Sequence, residues 1–440
     1  MRIVSGTALA ADSGRHRRLA PCRSLIATPR FSLDNALVPP SVIGLVIALI
    51  ARRYDTQQPV RLGIDLGVIQ TLEALPADAD LPEDLPWVAP GLIDLQVNGY
   101  DGISFNSPAL TPDQVRQVSL AMDLHGVTWY CPTVTTAPWE ILAHAMTTIA
   151  HAIRTLPEVA DRVAGIHLEG PYLSPEDGPR GAHPAAYIHP PDWDHFQRLQ
   201  QLADGRIRML TLAPEYDNAP AFIRRAVQKG VLVAIGHTNA NSQQIRAAVN
   251  AGARMSTHLG NGAHRQLPRH PNYLWDQLAE DRLVASLIVD GHHLPPEVVK
   301  TFLRAKGPSR CILISDITSM AGKPPGTYHS DNSGEIEILE DGRMVIAGQR
   351  HLLAGAALPI TAGIANVLRY TEHDFQTAVD MASVGPASLI GIEPGRLQVG
   401  APADLTLLRW PADPAGSIQV VATIAGGRLI AGRIPGDSPP

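Results

Sequence analysis

Four side chains that can bind a metal or transfer a proton each follow a short apolar segment. They are Glu169 in HLEGP, His237 in AIGHTNA, His258 in STHLGN and Asp316 in LISDITS. A carboxylate at the end of a buried strand is costly to desolvate unless a cation neutralises it. Two neutral imidazoles and a carboxylate suit Zn²⁺ or a similar divalent ion, with one position left for water. An unligated aspartate nearby can accept a proton from that water and pass it to a leaving amine. This order of groups favours a metal-dependent hydrolase.

Each of these residues also has a purely structural explanation when it is considered alone. His237 and His258 could be hydrogen-bonded core or loop residues, and Glu169 could cap the loop that follows it. Asp316 could be a helix N-cap. Because all these explanations would have to hold at four strand ends of one fold, the metal site is the favoured interpretation. His167 points to the opposite face from its neighbour, so we expect it to be structural.

Eight short apolar segments that alternate with helical patterns position these residues. The predicted strands are Leu92–Val97, Val127–Cys131, Val163–Leu168, Ile207–Leu212, Val231–Ile235, Arg254–Thr257, Leu283–Val289 and Cys311–Ser315. The predicted helices are one that begins at Pro112 after an N-cap, and Glu140–Thr155, Ala219–Lys229, Ser242–Ala251 and Pro295–Ala305. Short buried strands alternating with helices are typical of a parallel sheet. Eight such units predict a (β/α)8 TIM barrel with its active site at the C-terminal ends of the strands.

The two ends of the chain alternate apolar residues with turn signals instead. Val60–Ile69 and Val88–Val97 are predicted strands separated by a Pro-rich acidic linker, Leu75–Pro86, and further strands are predicted within 395–408 and 420–432. Residues 51–88 do not have enough strands for a sheet alone. We therefore predict one small β-sandwich domain from residues 51–89 and 395–440, beside a barrel domain of residues 90–394. Residues 1–50 are predicted to be a poorly ordered extension or an artefact of the assigned start codon.

Composition excludes several classes of protein. The net charge of −6 over 440 residues does not favour nucleic acid or an anionic membrane as a partner. The three cysteines, Cys22, Cys131 and Cys311, are far apart, which argues against disulfides or a thiolate zinc site and fits a reducing compartment. The apolar segment from Val42 to Ala51 is shorter than the ~20 residues that span a bilayer. Arg residues follow it where a signal peptide would be cleaved, so we predict a cytoplasmic protein.

A set of longer motifs narrows the prediction. They are PGLIDLQVNG (90–99), CPT (131–133), HLEGP (167–171) with GAH (181–183), GHT (236–238), THLGN (257–261), DGHH (290–293), SD (315–316) with AG (321–322), and LAG (353–355). In this order they resemble the N-acetylglucosamine-6-phosphate deacetylases of the amidohydrolase superfamily, from about residue 51 to the C-terminus. The resemblance implies a TIM barrel of the metal-dependent amidohydrolase type that deacetylates an N-acetyl amino sugar, with N-acetylglucosamine 6-phosphate as the first candidate. The alternative is a divergent amidohydrolase that acts on another N-acyl or cyclic amide.

The resemblance also implies a metal site and two catalytic residues. Glu169, His237 and His258 match the ligands of one divalent ion, with Zn²⁺ first and Fe²⁺, Co²⁺ or Mn²⁺ as alternatives. Gln96 and Asn98 stand where many amidohydrolases have the His-x-His that holds a second metal, so a single ion is expected. Asp316 matches the catalytic acid and base, and His183 matches a residue that polarises the acetyl carbonyl.

Further positions match substrate contacts of the family. They are Ala182, His183, Asn261, Gly262, Arg269, His293, Leu353, Ala354 and Gly355. Arg269 would bind phosphate across the interface of a homodimer or a larger homo-oligomer, although it could also be a solvated loop cation. His292 is the alternative to His293.

Two loops depart from the family pattern. After His258 the chain has GNGAHR (260–265) where the family has a bulky residue and then Asn-Ala-Met, and Ile317 follows Asp316 where the family has alanine. These loops are expected to line the substrate site. The metal chemistry is therefore predicted more firmly than the identity of the amide.

Overall fold

The structure of the protein is a computed structural model that describes residues 47–76, 78–82, 84–330, 334–393, 395–410 and 416–435. In chain order, its strands are β1 (Ile47–Arg53), β2 (Pro59–Asp65), β3 (Val68–Ala74), β4 (Trp87–Pro90), β5 (Leu92–Val97), β6 (Gly99–Tyr100), β7 (Ile103–Ser104), β8 (Val127–Thr135), β9 (Ile166–Glu169), β10 (Ile207–Leu212), β11 (Leu232–Ile235), β12 (Met255–Ser256), β13 (Val284–Leu287), β14 (Cys311–Leu313), β15 (Gly326–Ser330), β16 (Gly334–Ile338), β17 (Met344–Ile346), β18 (Gln349–Leu353), β19 (Leu405–Arg409), β20 (Gln419–Ala425) and β21 (Arg428–Gly432).

The α-helices follow the same order. They are α1 (Pro112–Leu124), α2 (Trp139–Thr155), α3 (Pro157–Ala160), α4 (Trp193–Leu202), α5 (Ala219–Gln228), α6 (Ser242–Ala251), α7 (Tyr273–Ala279), α8 (Pro296–Lys306), α9 (Ile360–Tyr370), α10 (Phe375–Asp380) and α11 (Val384–Ile390). Within the described ranges, none of the helices combines the length and the hydrophobicity needed to cross a membrane.

Eight strands form the predicted barrel. They pair in parallel in the order β14, β13, β12, β11, β10, β9, β8 and β5. The first and last strands close the barrel, because Asn98 N donates to the Ile317 carbonyl oxygen at 2.8 Å and Asp316 N donates to the Gln96 carbonyl oxygen at 3.0 Å. The (β/α)8 prediction is confirmed, and the predicted and observed ends of most barrel strands agree to within two residues.

Helix α1 shows how the sequence sets the elements around the barrel. Thr111 Oγ1 accepts from Gln114 N at 3.3 Å, and Gln114 Oε1 accepts from Thr111 N at 2.9 Å, which completes a capping box. The apolar stripe of Val115, Val118 and Met122 is buried, as its spacing predicts. The helix therefore packs in a single orientation between the barrel and the solvent.

A seven-stranded sheet joins the two ends of the chain. Its order is β21, β20, β19, β4, β1, β2 and β3. Strand β4 pairs in parallel with β1 and antiparallel with β19. The edge strand β3 lies against the segment that precedes β19, where Ile69 N donates to the Ala401 carbonyl oxygen at 3.0 Å. These strands confirm the predicted β-sandwich from both chain ends, whereas the predicted domain bounds stay a prediction.

Two predicted strands at the N-terminal end are wrong as single elements. Val60–Ile69 is a hairpin that turns at Leu66 and Gly67, where φ is +51° and +79°. Val88–Val97 is divided at Gly91 into β4 of the seven-stranded sheet and β5 of the barrel. A Cβ atom at Gly91 would lie 2.2 Å from Thr128 Oγ1, so glycine permits the close crossing between the two sheets.

The first described strand begins within the predicted N-terminal extension. Strand β1 begins at Ile47 and pairs with β2, so poor order is the wrong expectation for residues 47–50. Residues 1–46, and Cys22 with them, lie outside the described residues. The cysteines Cys131 and Cys311 are free and buried.

A four-stranded antiparallel sheet, β15 to β18, was not predicted. It is inserted between the last barrel strand and α9. Ile336, Ile338 and Met344 form its small core. The insertion matters for function because its last strands reach the C-terminal face of the barrel.

Candidate active site

The four residues singled out in the sequence lie together at the C-terminal ends of the barrel strands. Glu169 ends β9, His237 and His258 follow β11 and β12, and Asp316 follows β14. The last three have φ of +50°, +28° and +53°, a left-handed conformation that is uncommon for residues other than glycine. Residues held in such sparsely populated conformations cluster at functional sites.

Three of these side chains point their donor atoms at one place. Glu169 Oε1 is 3.2 Å from His237 Nε2 and 3.0 Å from His258 Nε2, and the two Nε2 atoms are 3.0 Å apart. All three residues are buried. Two imidazole nitrogens and a carboxylate oxygen that converge in this way fit the donor set of a divalent transition metal ion.

Surrounding groups orient these donors. His237 Nδ1 is 2.8 Å from the Pro179 carbonyl oxygen, which can only accept, so Nδ1 carries the proton and Nε2 presents a lone pair. Gln96 Nε2 donates to Glu169 Oε1 at 3.1 Å. Burial alone would raise the pKa of Glu169, but the adjacent imidazoles of His237 and His258 hold that pKa well below its usual range. The carboxylate is therefore charged and available to a cation.

A further imidazole borders this cluster. His183 Nε2 lies 3.2 Å from His237 Nε2, and Glu169, His183 and His237 form a group whose ligand atoms lie within 4.8 Å of one another. The buried Glu and His cluster can thus bind a metal through two different sets of three ligands, one with His258 and one with His183.

Asp316 faces the cluster from the end of the last strand. Asn98 Nδ2 donates to its Oδ1 at 2.8 Å. Burial, and then the negative charge of Glu169, raise the pKa of Asp316 to about 6. A carboxyl group with a pKa near neutrality can accept a proton and return it within one catalytic cycle.

The cluster opens into a cavity of about 280 Å³. Of the predicted substrate contacts, Ala182, His183, Leu353, Ala354 and Gly355 line it. Ser319, from the loop after Asp316 that is expected to line the substrate site, borders the cavity as well. The lining residues that the sequence does not predict include Ser104, Asn106, Thr135, Thr136, Pro184, Thr318 and Ile346. The sequence did not point to Thr135 and Thr136, because the second barrel strand was predicted to end at Cys131 and continues to Thr135. Nothing in the sequence indicated that Ile346 of the inserted sheet reaches the site.

The other predicted contacts lie outside this cavity. Asn261 and Gly262 line a small neighbouring cavity beside His237. His293 Nδ1 is 2.7 Å from Asp290 Oδ2, and His293 does not line the cavity. Arg269 is exposed and does not border the cavity in its own chain.

His167 is structural, as predicted. Its Nε2 is 2.8 Å from Thr211 Oγ1 and its Nδ1 is 3.4 Å from Thr133 Oγ1. Burial lowers the pKa of His167 to about 4, so the ring is neutral at physiological pH. It belongs to the barrel interior beneath the cluster.

Comparison with known proteins places the geometry in a family. The sequence model of the amidohydrolase family matches residues 87–430. The chain belongs to the amidohydrolase family. As an amidohydrolase it is a hydrolytic enzyme that acts on carbon–nitrogen bonds, and the family is metal-dependent, in agreement with the buried cluster.

The most informative relatives of this amidohydrolase are deacetylases. N-acetylglucosamine-6-phosphate deacetylase of Bos taurus is 32% identical over 354 residues, 78% of this chain and 83% of the relative. N-acetylgalactosamine-6-phosphate deacetylase of Escherichia coli O157:H7 is 31% identical over 364 residues, which cover 81% of this chain and 94% of the relative. A variant of the Mycobacterium smegmatis N-acetyl-D-glucosamine-6-phosphate deacetylase, solved with N-acetyl-D-glucosamine-6-phosphate, superposes with a TM-score of 0.76 at 28% identity, covering 88% of this chain and 99% of that chain. The resemblance inferred from the motifs is confirmed.

Proposed function

We propose that this amidohydrolase converts N-acetylglucosamine 6-phosphate and water into glucosamine 6-phosphate and acetate. The observation that carries the proposal is the placement of Asp316 and His183 around the Glu169, His237 and His258 cluster, within one cavity. The relatives that match most of the chain are deacetylases of phosphorylated N-acetyl amino sugars. Metal ligands, a proton carrier and a second polar group are the parts that amide hydrolysis requires.

Glu169, His237 and His258 are proposed to hold one divalent ion, with Zn²⁺ first and Fe²⁺, Co²⁺ or Mn²⁺ as alternatives. The donor contacts of 3.0 to 3.2 Å among these residues support this ligand set. Gln96 and Asn98 turn amide N–H groups towards Glu169 and Asp316, so neither presents an oxygen there to a second ion. When bound, such an ion lowers the pKa of a coordinated water to about 7 and polarises a carbonyl group.

The protein's own groups move the protons. Asp316 accepts a proton from the attacking water as the water oxygen bonds to the acetyl carbon. It then donates that proton to the sugar nitrogen as the carbon–nitrogen bond breaks, so the free amine and acetic acid leave, and the acid ionises to acetate in solution. His183 donates from Nε2 to the acetyl oxygen, where negative charge develops. Asn98 holds Asp316 in place through the 2.8 Å bond to Oδ1.

The remaining predicted contacts are proposed to bind the sugar and its phosphate. Ala182, Leu353, Ala354 and Gly355 border the cavity and would enclose the ring. Asn261, Gly262 and His293 lie in the loops at its edge. No lysine or arginine is among the residues that line the cavity within the described ranges. The exposed Arg269 is therefore proposed to supply the cation from the second subunit of a homodimer.

The composition and the free buried cysteines support a cytoplasmic location. The epimeric substrate N-acetylgalactosamine 6-phosphate is the second candidate, because a relative with that activity covers as much of the chain.

The test is acetate release from four compounds: N-acetylglucosamine, its 6-phosphate, N-acetylgalactosamine 6-phosphate and an N-acetyl amino acid. Each is assayed with protein reconstituted with Zn²⁺ and with protein treated with a chelator. We expect zinc-dependent turnover with the highest kcat/KM for N-acetylglucosamine 6-phosphate. A higher kcat/KM for the galactose epimer would support the second candidate. Turnover of the amino acid alone would refute both.

A further inference from the structure

The hydroxyl group of Thr136 bonds directly to His183 at the edge of the cavity. Thr136 Oγ1 is 2.9 Å from His183 Nδ1, and the two residues are only 3% and 7% exposed. Across the part of the chain that the structure describes, His183 is the only hydrogen-bond partner of this hydroxyl. In the proposed reaction, Nε2 on the other side of the same ring donates to the acetyl oxygen. The Thr136 hydroxyl can therefore influence catalysis through the imidazole ring of His183.

The contacts of the ring indicate which nitrogen carries the proton. The Thr136 hydroxyl has no other acceptor among the described residues, so its buried O–H is satisfied only when it donates to His183 Nδ1. Nδ1 then presents the lone pair of the neutral ring, and the proton lies on Nε2. His183 Nε2 faces the cluster, 3.2 Å from Nε2 of the proposed metal ligand His237.

We infer that Thr136 is a positioning residue that holds the neutral His183 ring with its proton on Nε2. The inference rests on the proposed amide hydrolysis, in which this N–H donates to the acetyl oxygen. With the proton on Nδ1, the lone pair of Nε2 would repel that oxygen and would make His183 a metal ligand instead. The hydroxyl group thus decides between a histidine that stabilises negative charge and one that binds the ion.

The local sequence makes room for this hydroxyl. Gly170 directly follows Glu169 and has a φ of +83°. A Cβ atom at Gly170 would lie 2.2 Å from Thr136 Oγ1. Any side chain there would displace the hydroxyl from His183 or shift the loop that carries His183. The glycine next to the metal ligand and the threonine that follows β8 therefore form one packed unit.

Two substitutions separate the hydroxyl from the shape of the side chain. Thr136→Val removes the donor at nearly constant volume, and Thr136→Ser retains it. Thr128→Val is the matched control, because Thr128 is buried at the other end of β8 and packs against Gly91, while its hydroxyl lies 3.4 Å from the Leu92 carbonyl oxygen. We expect Thr136→Val to lower kcat for N-acetylglucosamine 6-phosphate by about 10- to 100-fold with little change in KM. Thr136→Ser and Thr128→Val should stay within about threefold of the unmodified protein.

Two further kinetic measurements distinguish this role from a purely structural one. The N-trifluoroacetyl analogue has a more electrophilic carbonyl carbon, so the loss of kcat in Thr136→Val should be smaller with it. In a His183→Gln background, Thr136→Val should cause no further loss, because the two residues act as a unit. An equal loss with both acyl groups, an additive loss in the double variant, or unchanged kcat in Thr136→Val would overturn the inference.

The tautomer of His183 can also be measured directly, without an assay of activity. In protein labelled with ¹⁵N-histidine, NMR should show His183 protonated at Nε2, and Thr136→Val should raise the population protonated at Nδ1. Protonated Nδ1 in the unmodified protein would overturn the inference even if acetate release confirmed the proposed function. Conversely, the expected tautomer without any acetate release would refute the proposed function and leave the role of Thr136 in place.

Discussion

Asn98 Nδ2 donates to Asp316 Oδ1 at 2.8 Å, which ties the residue after the first barrel strand to the residue that follows the eighth. The backbone groups of the same residues close the barrel through the bonds to Ile317 and Gln96. The proton carrier therefore sits on the seam of the barrel. Its position depends on correct closure of the sheet as well as on its own turn.

Loss of this bond should change the pH dependence of the reaction. A hydrogen bond to the charged carboxylate lowers its pKa, so Asn98→Ala should raise the pKa of Asp316. Protonated Asp316 cannot accept a proton, so the fall of kcat/KM on acidification should begin at a higher pH in the variant. In the unmodified protein this fall should lie at or below pH 6, because a bound cation lowers the pKa further. A profile of kcat/KM against pH measures the difference. An acidic limb that is unchanged or displaced to lower pH would contradict the role of Asn98.

Asp316→Asn should separate proton transfer from metal binding. The amide keeps the size of the side chain but cannot carry the proton, so kcat should fall by about 10²- to 10⁴-fold. Metal content, measured by elemental analysis, should equal that of the unmodified protein. Retained activity would show that another group carries the proton, and loss of metal would show that Asp316 is a ligand.

The two possible ligand sets can be distinguished by metal content. His258→Gln should lose the ion and His183→Gln should retain it, because only the former belongs to the proposed set. Because an ion that binds the folded state stabilises it, a chelator should lower the Tm of the unmodified protein and of His183→Gln. The Tm of His258→Gln should not respond. The reverse pattern would assign His183 as the ligand, whose ligand atom lies within 4.8 Å of those of Glu169 and His237.

Arg269→Ala should affect only phosphorylated substrates. If Arg269 binds the phosphate, its loss should raise KM for N-acetylglucosamine 6-phosphate by about 10-fold or more, as expected for a charge-assisted contact. KM for N-acetylglucosamine should not change. Arg304→Ala, at an exposed arginine in the last turn of α8, is the control. Equal effects of the two variants would indicate a general change of surface charge.

Mixing Arg269→Ala with Asp316→Asn chains would test whether Arg269 acts across subunits, because hybrid dimers should regain activity.

A buried ion pair away from the site should dominate stability. Arg162 Nε and Nη2 donate to the two oxygens of Asp123 at 2.6 and 2.8 Å, and both side chains are almost fully buried. Arg162→Met leaves a buried carboxylate unpaired and should lower the free energy of unfolding by about 3–5 kcal/mol. The exposed pair Arg428–Asp161 is the control, and Arg428→Ala should lower it by less than about 1 kcal/mol. Urea denaturation measures both, and equal losses would contradict the argument.

The barrel was predictable because its signal repeats. Each strand is a short apolar run followed by a polar loop, and that rule alone locates Glu169, His237, His258 and Asp316 in the sequence. The rule does not locate Thr136, because β8 continues to Thr135, beyond its predicted end at Cys131. Thr136 was missed because a hydroxyl group has no distinctive chemistry until its partner is known, and that partner, His183, lies 47 residues further along the chain.

The wrong strand predictions arose where one apolar segment continues through a turn or passes from one sheet into another. Residues from Val88 to Val97 look like one strand because nothing but Gly91 marks the passage from one sheet to the other. Among the described strands, the inserted sheet pairs only within itself, and its sequence does not indicate that Ile346 reaches the active-site face of the barrel. Contacts between distant segments decide these features, and a local pattern does not encode them.

The position of β4 between β1 and β19 has a consequence for the newly made chain. One edge of β4 finds its partner early, but the other must wait for Leu405–Arg409, about 300 residues later. At about 5–20 residues per second, the ribosome leaves that edge open for on the order of 15–60 s. An open strand edge is a template for pairing with other chains. The demand on chaperones should therefore be greatest late in translation, after the catalytic barrel has emerged and before the last strands cover it.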